Sequence, residues 1–139
     1  EHSIPISGGL AELPESRAEA SNLANPISKS AQVLSHAALI YNINCASCHG
    51  DTAEGDGYVG LKFVEYGAPQ PPSFSSSRIM DLTSGEAYHS LTRGYGYMPA
   101  FGKLLTDQDR WGLITLIELE AEKRTALLKA PENQASGGN

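Results

Sequence analysis

Cysteine is scarce in this chain. Its 139 residues hold two, Cys45 and Cys48, which excludes a scaffold stapled by several disulfides. Positive charge is scarce too: ten Lys plus Arg stand against sixteen Asp plus Glu, a net charge of -6. No basic stripe interleaved with aromatics is present, so nucleic acid is not an expected partner. No apolar run approaches the roughly 20 residues that cross a bilayer, so no transmembrane segment is expected in the chain. Alternation of period two is missing, which argues against strands. No Ser-His-Asp set can be assembled around an obvious nucleophile, and nothing else points to an enzyme.

What is present is ordinary globular composition, 40% hydrophobic and 19% charged, at a length that suits one domain. Residues 1–29 mix Pro, Gly, Ser and Asn without sustained periodicity and read as an extended arm or linker, laid on a partner. Residues 30–130 carry the domain, and 131–139 read as a flexible, frayed tail. The chain starts at Glu1 with neither an initiator Met nor an export signal, which fits a processed or trimmed form.

Three helices are expected. The first runs from about Ser30 to Asn44, with Val33, Leu34, Ala37, Ala38 and Tyr41 on one apolar face. The second, near Ser84 to Thr92, opens on the capping box Thr83-x-x-Glu86 and ends at Gly94. The third runs from Asp107 to about Lys129. Thr106 and Asp109 cap its start, Trp111, Ile114, Ile117 and Ala121 form its stripe, and Glu120 pairs with Arg124. Residues 51–83 are broken by Gly and Pro, apart from a helical piece around Val59 to Tyr66. An all-α domain follows, with loops too long to pack on each other alone. Something must fill the middle.

The stretch Y-N-I-N-C-A-S-C-H-G, residues 41–50, supplies the filler. A redox dithiol would want a βαβ setting, and zinc would want a fourth ligand beside Cys45, Cys48 and His49. The remaining reading of C-x-x-C-H is a single covalently attached haem c. One helical turn separates the two sulfurs, so both can reach the vinyl groups of one porphyrin edge. His49, directly after, can ligate the iron.

The sixth ligand separates a carrier from an enzyme. Candidates are Met98, Met80, His2, His36 and His89. Met98 is favoured because it sits in G-Y-G-Y-M-P-A-F, where Gly94 and Gly96 let the backbone fold tightly and Pro99 stiffens it. Met80 reads as a packing residue, His89 as a surface histidine, and His36 as lying on the solvent side of the first helix.

Over residues 28–125 the chain resembles class I cytochrome c domains. The motifs are L-I-Y-N-I-N-C-A-S-C-H-G, P-P-S-F, G-E-A-Y-H-S-L-T-R-G-Y-G-Y-M-P-A-F and the D-R-W helix start. The resemblance implies a helical bundle around one haem, its first and last helices crossing at an edge. It also implies that the carbonyl of Pro72, or else Pro71, accepts a hydrogen bond from Nδ1–H of His49. The crossing usually pairs a glycine with an aromatic; the matching positions here are Ala37 and Leu116. More narrowly, the N-P-I arm, E-A-Y-H-S-L-T-R-G and D-R-W are similar to the monohaem cytochrome c subunit of alternative complex III, a bacterial membrane quinol oxidoreductase.

These features make a one-electron carrier the expectation, with His49 and Met98 as metal ligands, fixed in such a complex beside other subunits as redox partners. A freely diffusing periplasmic shuttle, or a sensor or catalytic haem protein with an open sixth site, are the rivals. The place expected is the extracytoplasmic face of the bacterial inner membrane, with anchoring through a complex or an N-terminal lipid. D-T-A-E-G-D-G, residues 51–57, fails as a calcium loop because Ala53 and Gly55 stand where acidic ligands belong. Arg78, Arg93 and Tyr97 are candidates to meet the haem propionates, and Trp111 to pack the core.

Overall fold

In the computed structural model, residues 13–134 are described. Their helices are α1 (Ala31–Asn44), α2 (Ala46–His49), α3 (Tyr58–Glu65), α4 (Ser77–Met80), α5 (Ser84–Arg93), α6 (Asp107–Ile117) and α7 (Ala121–Lys129). Among the described residues there is no strand, and an isolated bridge joins Tyr95 to Met98. The all-α expectation holds.

Local chemistry sets the helix starts. Ser30 accepts the N–H of Val33 and opens α1. Thr83 and Glu86 form both halves of the capping box that opens α5, at 2.8 and 3.1 Å. Thr106 accepts the N–H of Asp109 at 3.0 Å and opens α6. The core gathers Ala37, Ala38 and Tyr41 of α1, Tyr88 and Leu91 of α5, Trp111, Leu113, Ile114 and Leu116 of α6, and Leu128 of α7. Within it Tyr88 and Trp111 stack face to face, 3.9 Å between centroids and 7° between planes.

Helices α1 and α6 make the crossing. Small residues meet there: a Cβ placed on Gly112 would stand 3.7 Å from Val33 Cγ1 and 3.9 Å from Ala37 Cβ. The close approach at Ala37 is therefore supplied by Gly112, one turn before the expected Leu116. Leu116 itself is fully buried.

Five expectations need correcting. The last helix is broken at residues 118–120, where Glu120 turns extended at φ -58°, ψ 147°. Arg124 folds back to donate to the carbonyls of Ile117, at the end of α6, and Leu119, in the break itself, instead of pairing with the Glu120 carboxylate. The arm, over its described part, lies on its own domain: Leu13 and Ala20 are buried, and Asn25 donates to Trp111 O and Thr115 Oγ1. Residues 1–12 lie outside the described part. Of the tail, Pro131–Asn133 forms a 3-10 turn whose buried Asn133 accepts from Ser35 Oγ at 2.7 Å and from Asn42 Nδ2 at 2.7 Å. Residues 135–139 lie outside the described part. Finally, His89 is buried, not a surface residue, because the arm covers it.

Candidate haem site

The C-x-x-C-H segment is a single tight helical turn. His49 N–H bonds to Cys45 O at 2.8 Å and Gly50 N–H to Ala46 O at 2.8 Å, so both cysteines and the histidine are placed by one backbone unit. Three neighbours then fix its carbonyls. The Tyr41 hydroxyl donates to Gly50 O at 2.6 Å, Gly55 N–H to His49 O at 2.7 Å, and Gly57 N–H to Cys48 O at 3.2 Å. The loop can come that close because it lacks side chains: a Cβ on Gly57 would lie 2.3 Å from Ser47 O, and one on Gly60 2.6 Å from Cys48 O. The glycines of G-D-G-Y-V-G, which read as loop punctuation, are the packing surface of the motif.

Cys45 and Cys48 are free thiols and half-buried. Burial, with a smaller contribution from Cys48, pushes the Cys45 thiol up to about 12, so it is neutral at ordinary pH. His49 is half-buried with Nδ1 enclosed, and burial pulls its pKa below the usual imidazole value, leaving the neutral form that can ligate a metal. Its ring packs on Phe74 at 5.1 Å. In this geometry Nδ1 makes no hydrogen bond. The expected acceptor segment is nonetheless at hand: a Cβ on Gly55, the residue bonded to His49 O, would lie 2.0 Å from Pro71 O and 3.3 Å from the carbonyl carbon of Pro72.

Met98 is half-buried and packs against the same core as Cys45 and Ala46. It closes a two-residue hairpin: Tyr95 N–H bonds to Met98 O at 3.1 Å and Met98 N–H to Tyr95 O at 2.9 Å. Gly96, at φ 59° in the first turn position and followed by a residue of negative φ, has the type II′ signature. Both ends of the segment return to α5, through Gly94 N–H to Ser90 O, Phe101 N–H to Leu91 O and Gly102 N–H to Thr92 O. The competing ligands are placed otherwise. Met80 is 69% exposed, His36 pairs with Asp109 at 3.0 Å on the outside of α1, and His89 is buried under the arm. His2 lies outside the described residues.

Of the propionate candidates, Arg93 donates to Leu13 O, Arg78 is exposed, and Tyr97 is 68% exposed. Two buried cations escaped the sequence reading. Arg110 binds Tyr88 Oη, Asp107 and the carbonyls of Gly102 and Leu105, tying α6 to the chain just after Met98. Arg124 holds its guanidinium 5.7 Å from the Phe74 centroid, so it lies one ring away from His49. It borders a cleft of about 490 Å³ lined also by Phe74, Ile79, Met80, Ala87 and Ile117. The i,i+4 spacing of Glu120 and Arg124 pointed to a pair between those two side chains and concealed this. Beside α2, helix α3 exposes Val59, Leu61, Phe63 and Val64, apolar surface of the kind a porphyrin or a partner covers.

Two free thiols one turn apart, an imidazole held neutral with an enclosed unpartnered nitrogen, and a thioether presented by a braced hairpin fit a covalently bound haem. Among the described residues no cluster of three or more His, Cys, Asp or Glu could hold a bare metal ion, and no helix is long and apolar enough to cross a membrane.

Comparison with known proteins agrees with this geometry. No curated protein matches the chain. A solved structure from Kuenenia stuttgartiensis, a chain of its reducing HAO-like protein complex, superimposes with a TM-score of 0.56 at 25% identity, over 70% of this chain and 46% of that one. The present chain thus spans less than half the length of that neighbour. The family described as cytochrome C oxidase, cbb3-type, subunit III, matches residues 32–117, more than half of the chain, from the second residue of α1 to the end of α6. The chain belongs to this family of haem-binding cytochrome c domains, whose business is electron transfer.

Proposed function

We propose that this chain carries single electrons through one haem c, bound to Cys45 and Cys48 and ligated by His49 and Met98, as a fixed subunit of a bacterial membrane quinol-oxidising complex of the alternative complex III kind. The observation that carries the reading is the joint bracing of two segments against one core: the C-x-x-C-H turn by Tyr41, Gly55 and Gly57, and the Met98 hairpin by α5. When bound, the haem supplies one-electron redox chemistry at its iron. The polypeptide holds the two axial ligands in place, keeps His49 neutral and surrounds the site with apolar side chains. A thioether on the sixth position leaves no open coordination site for a substrate.

Electrostatics support a fixed position over free diffusion. The chain has five lysines and five arginines, and two of those arginines, Arg110 and Arg124, are buried, so its surface is more acidic than the net charge of -6 suggests. A carrier steered by a basic ring would need the opposite. The Kuenenia neighbour is a component of a complex, which agrees with partners of protein nature, and the extracytoplasmic face is where attachment of this haem type is completed.

Optical spectra of the purified holoprotein test the ligation. Expected are a sharp reduced c-type spectrum, a weak far-red band when oxidised, and no shift with carbon monoxide. Met98→Ala should abolish the band and admit carbon monoxide promptly; a variant indistinguishable from the native protein would dismiss Met98 as ligand. Native electrophoresis of solubilised membranes tests the assembly: haem stain from this chain at monomer mass would establish a diffusing shuttle instead.

A further inference from the structure

The described part of the arm does not spread over the domain at random. Its contacts fall on successive turns of one side of α5 and continue to the Met98 hairpin. Ala20 O presses on Gly85, where a Cβ would come within 1.9 Å of it. The carbonyls of Pro14 and Glu15 both lie on His89 Nε2, at 3.0 and 3.1 Å, which makes that nitrogen the N–H donor to both. Leu13, itself buried, accepts from Arg93 at 3.0 Å. Arg17 donates to Ser90 Oγ at 3.2 Å and lays its guanidinium over the Tyr95 ring, 4.0 Å from the centroid.

That last contact reaches the ligand hairpin. Tyr95 is the residue that exchanges both backbone hydrogen bonds with Met98, and Ser90, Arg17's other partner, is the residue whose carbonyl receives Gly94 N–H at the base of the same hairpin. One guanidinium therefore grips the base of the hairpin and the residue bridged to Met98 at once. Tyr95 is still 53% exposed with that contact in place. We propose that the arm is the outer brace of the axial methionine, with Arg17 as a positioning residue that acts through Tyr95 to keep Met98 presented to the iron. The inference rests on Met98 being the sixth ligand.

The test uses the ferric holoprotein of the full chain and exogenous imidazole as the competing ligand. At saturating imidazole, displacement of a methionine ligand is limited by opening of its hairpin, followed as loss of the far-red band. Loss of one exposed cation–π contact should speed that step roughly two- to fivefold in Arg17→Ala. Arg17→Lys, which keeps the cation but not the fork, should fall between Arg17→Ala and the native protein. In a Tyr95→Leu background, Arg17→Ala should add little. A native rate in Arg17→Ala, with the band intact in both proteins, would overturn the brace even if the melting temperature fell, since that is the mark of a merely structural contact. A native protein with no far-red band, or a Met98→Ala variant that binds imidazole at the native rate, would remove the ligand assignment and the brace with it.

Discussion

Gly55 donates its backbone N–H to the carbonyl of His49 at 2.7 Å, and it does so at φ 85°, with the Pro71 carbonyl oxygen where its Cβ would be, 2.0 Å away. The histidine of the C-x-x-C-H motif is thus held by a residue that has to be glycine on two counts. Gly55→Ala should cost about 1–2 kcal/mol for the left-handed backbone alone and more for the overlap with Pro71, whose backbone cannot swing away. Gly67 is the control: it has φ 99° with nothing near its missing Cβ, so Gly67→Ala pays for backbone strain only. Guanidinium unfolding of both holoproteins measures the difference. Equal losses would show that the Pro71 contact yields easily and does not hold the loop.

Tyr41 makes the companion contact, and it carries a pH signature. Its ring is 1% exposed and its hydroxyl donates to Gly50 O, and burial raises the phenol well above its usual value near 10. The folded state therefore keeps the proton at a pH where the unfolded chain has released it. Stability from this group is complete below about pH 10 and falls as pH rises beyond it. Tyr41→Phe should cost about 1–2 kcal/mol at pH 7, where the Gly50 carbonyl loses its donor, and should flatten the decline above pH 10. Denaturation curves from pH 7 to 11 give both numbers. An alkaline slope unchanged in Tyr41→Phe would show that another group titrates.

The residues that were legible in the sequence are those whose signal is local. C-A-S-C-H announces itself by spacing, Thr83 and Glu86 cap a helix three residues apart, and Gly94 and Gly96 mark the turn that presents Met98. What escaped depends on residues distant in the chain. His89 reads as a surface histidine until Pro14 and Glu15, over 70 positions earlier, supply the carbonyls that cover it. The break at 118–120 is tied by Arg124, which takes the carbonyls of Ile117 and Leu119, and a continuous apolar stripe cannot show that. Gly112 looks like a helix defect in isolation and becomes the contact with Ala37 only once the helices cross. Helix α4, four residues long, has too little length for any periodicity to register.

Arg110 shows what the D-R-W start of α6 is for. Almost wholly buried, it satisfies Gly102 O, Leu105 O, Tyr88 Oη and the partly exposed Asp107 with one planar group. A lysine has neither the fork nor enough donors to serve all four. Arg110→Met should destabilise the holoprotein by about 3 kcal/mol, because two carbonyls and a carboxylate lose their partner. The segment after Met98 would also loosen, so the far-red band should bleach at a lower guanidinium concentration than the helical signal. Coincident transitions would show that Arg110 stabilises the domain as a whole and not the Met98 segment in particular.

Arg124 combines a structural and an electrostatic effect, and the two can be separated. Its donors meet the carbonyls of Ile117 and Leu119 and Ser75 Oγ, all neutral, so a guanidinium that burial disfavours but cannot discharge sits one ring from His49, its charge only partly offset by the Glu54 carboxylate nearby. A positive charge there penalises the more positive, oxidised iron and so raises the reduction potential. Two unit charges about 10 Å apart at an effective dielectric of about 20 interact by nearly 2 kcal/mol, about 70 mV, and the nearby Glu54 carboxylate lowers this to an expected effect of tens of millivolts. Arg124→Gln keeps an amide donor for the Ile117 and Leu119 carbonyls and loses the charge, so its midpoint potential should fall by tens of millivolts. Arg124→Lys keeps the charge but caps poorly, so it should lose stability and hold its potential. Redox titration and thermal unfolding of the two variants side by side decide the matter. If the potential follows stability instead of charge, Arg124 is a helix cap and the cation has no say over the iron.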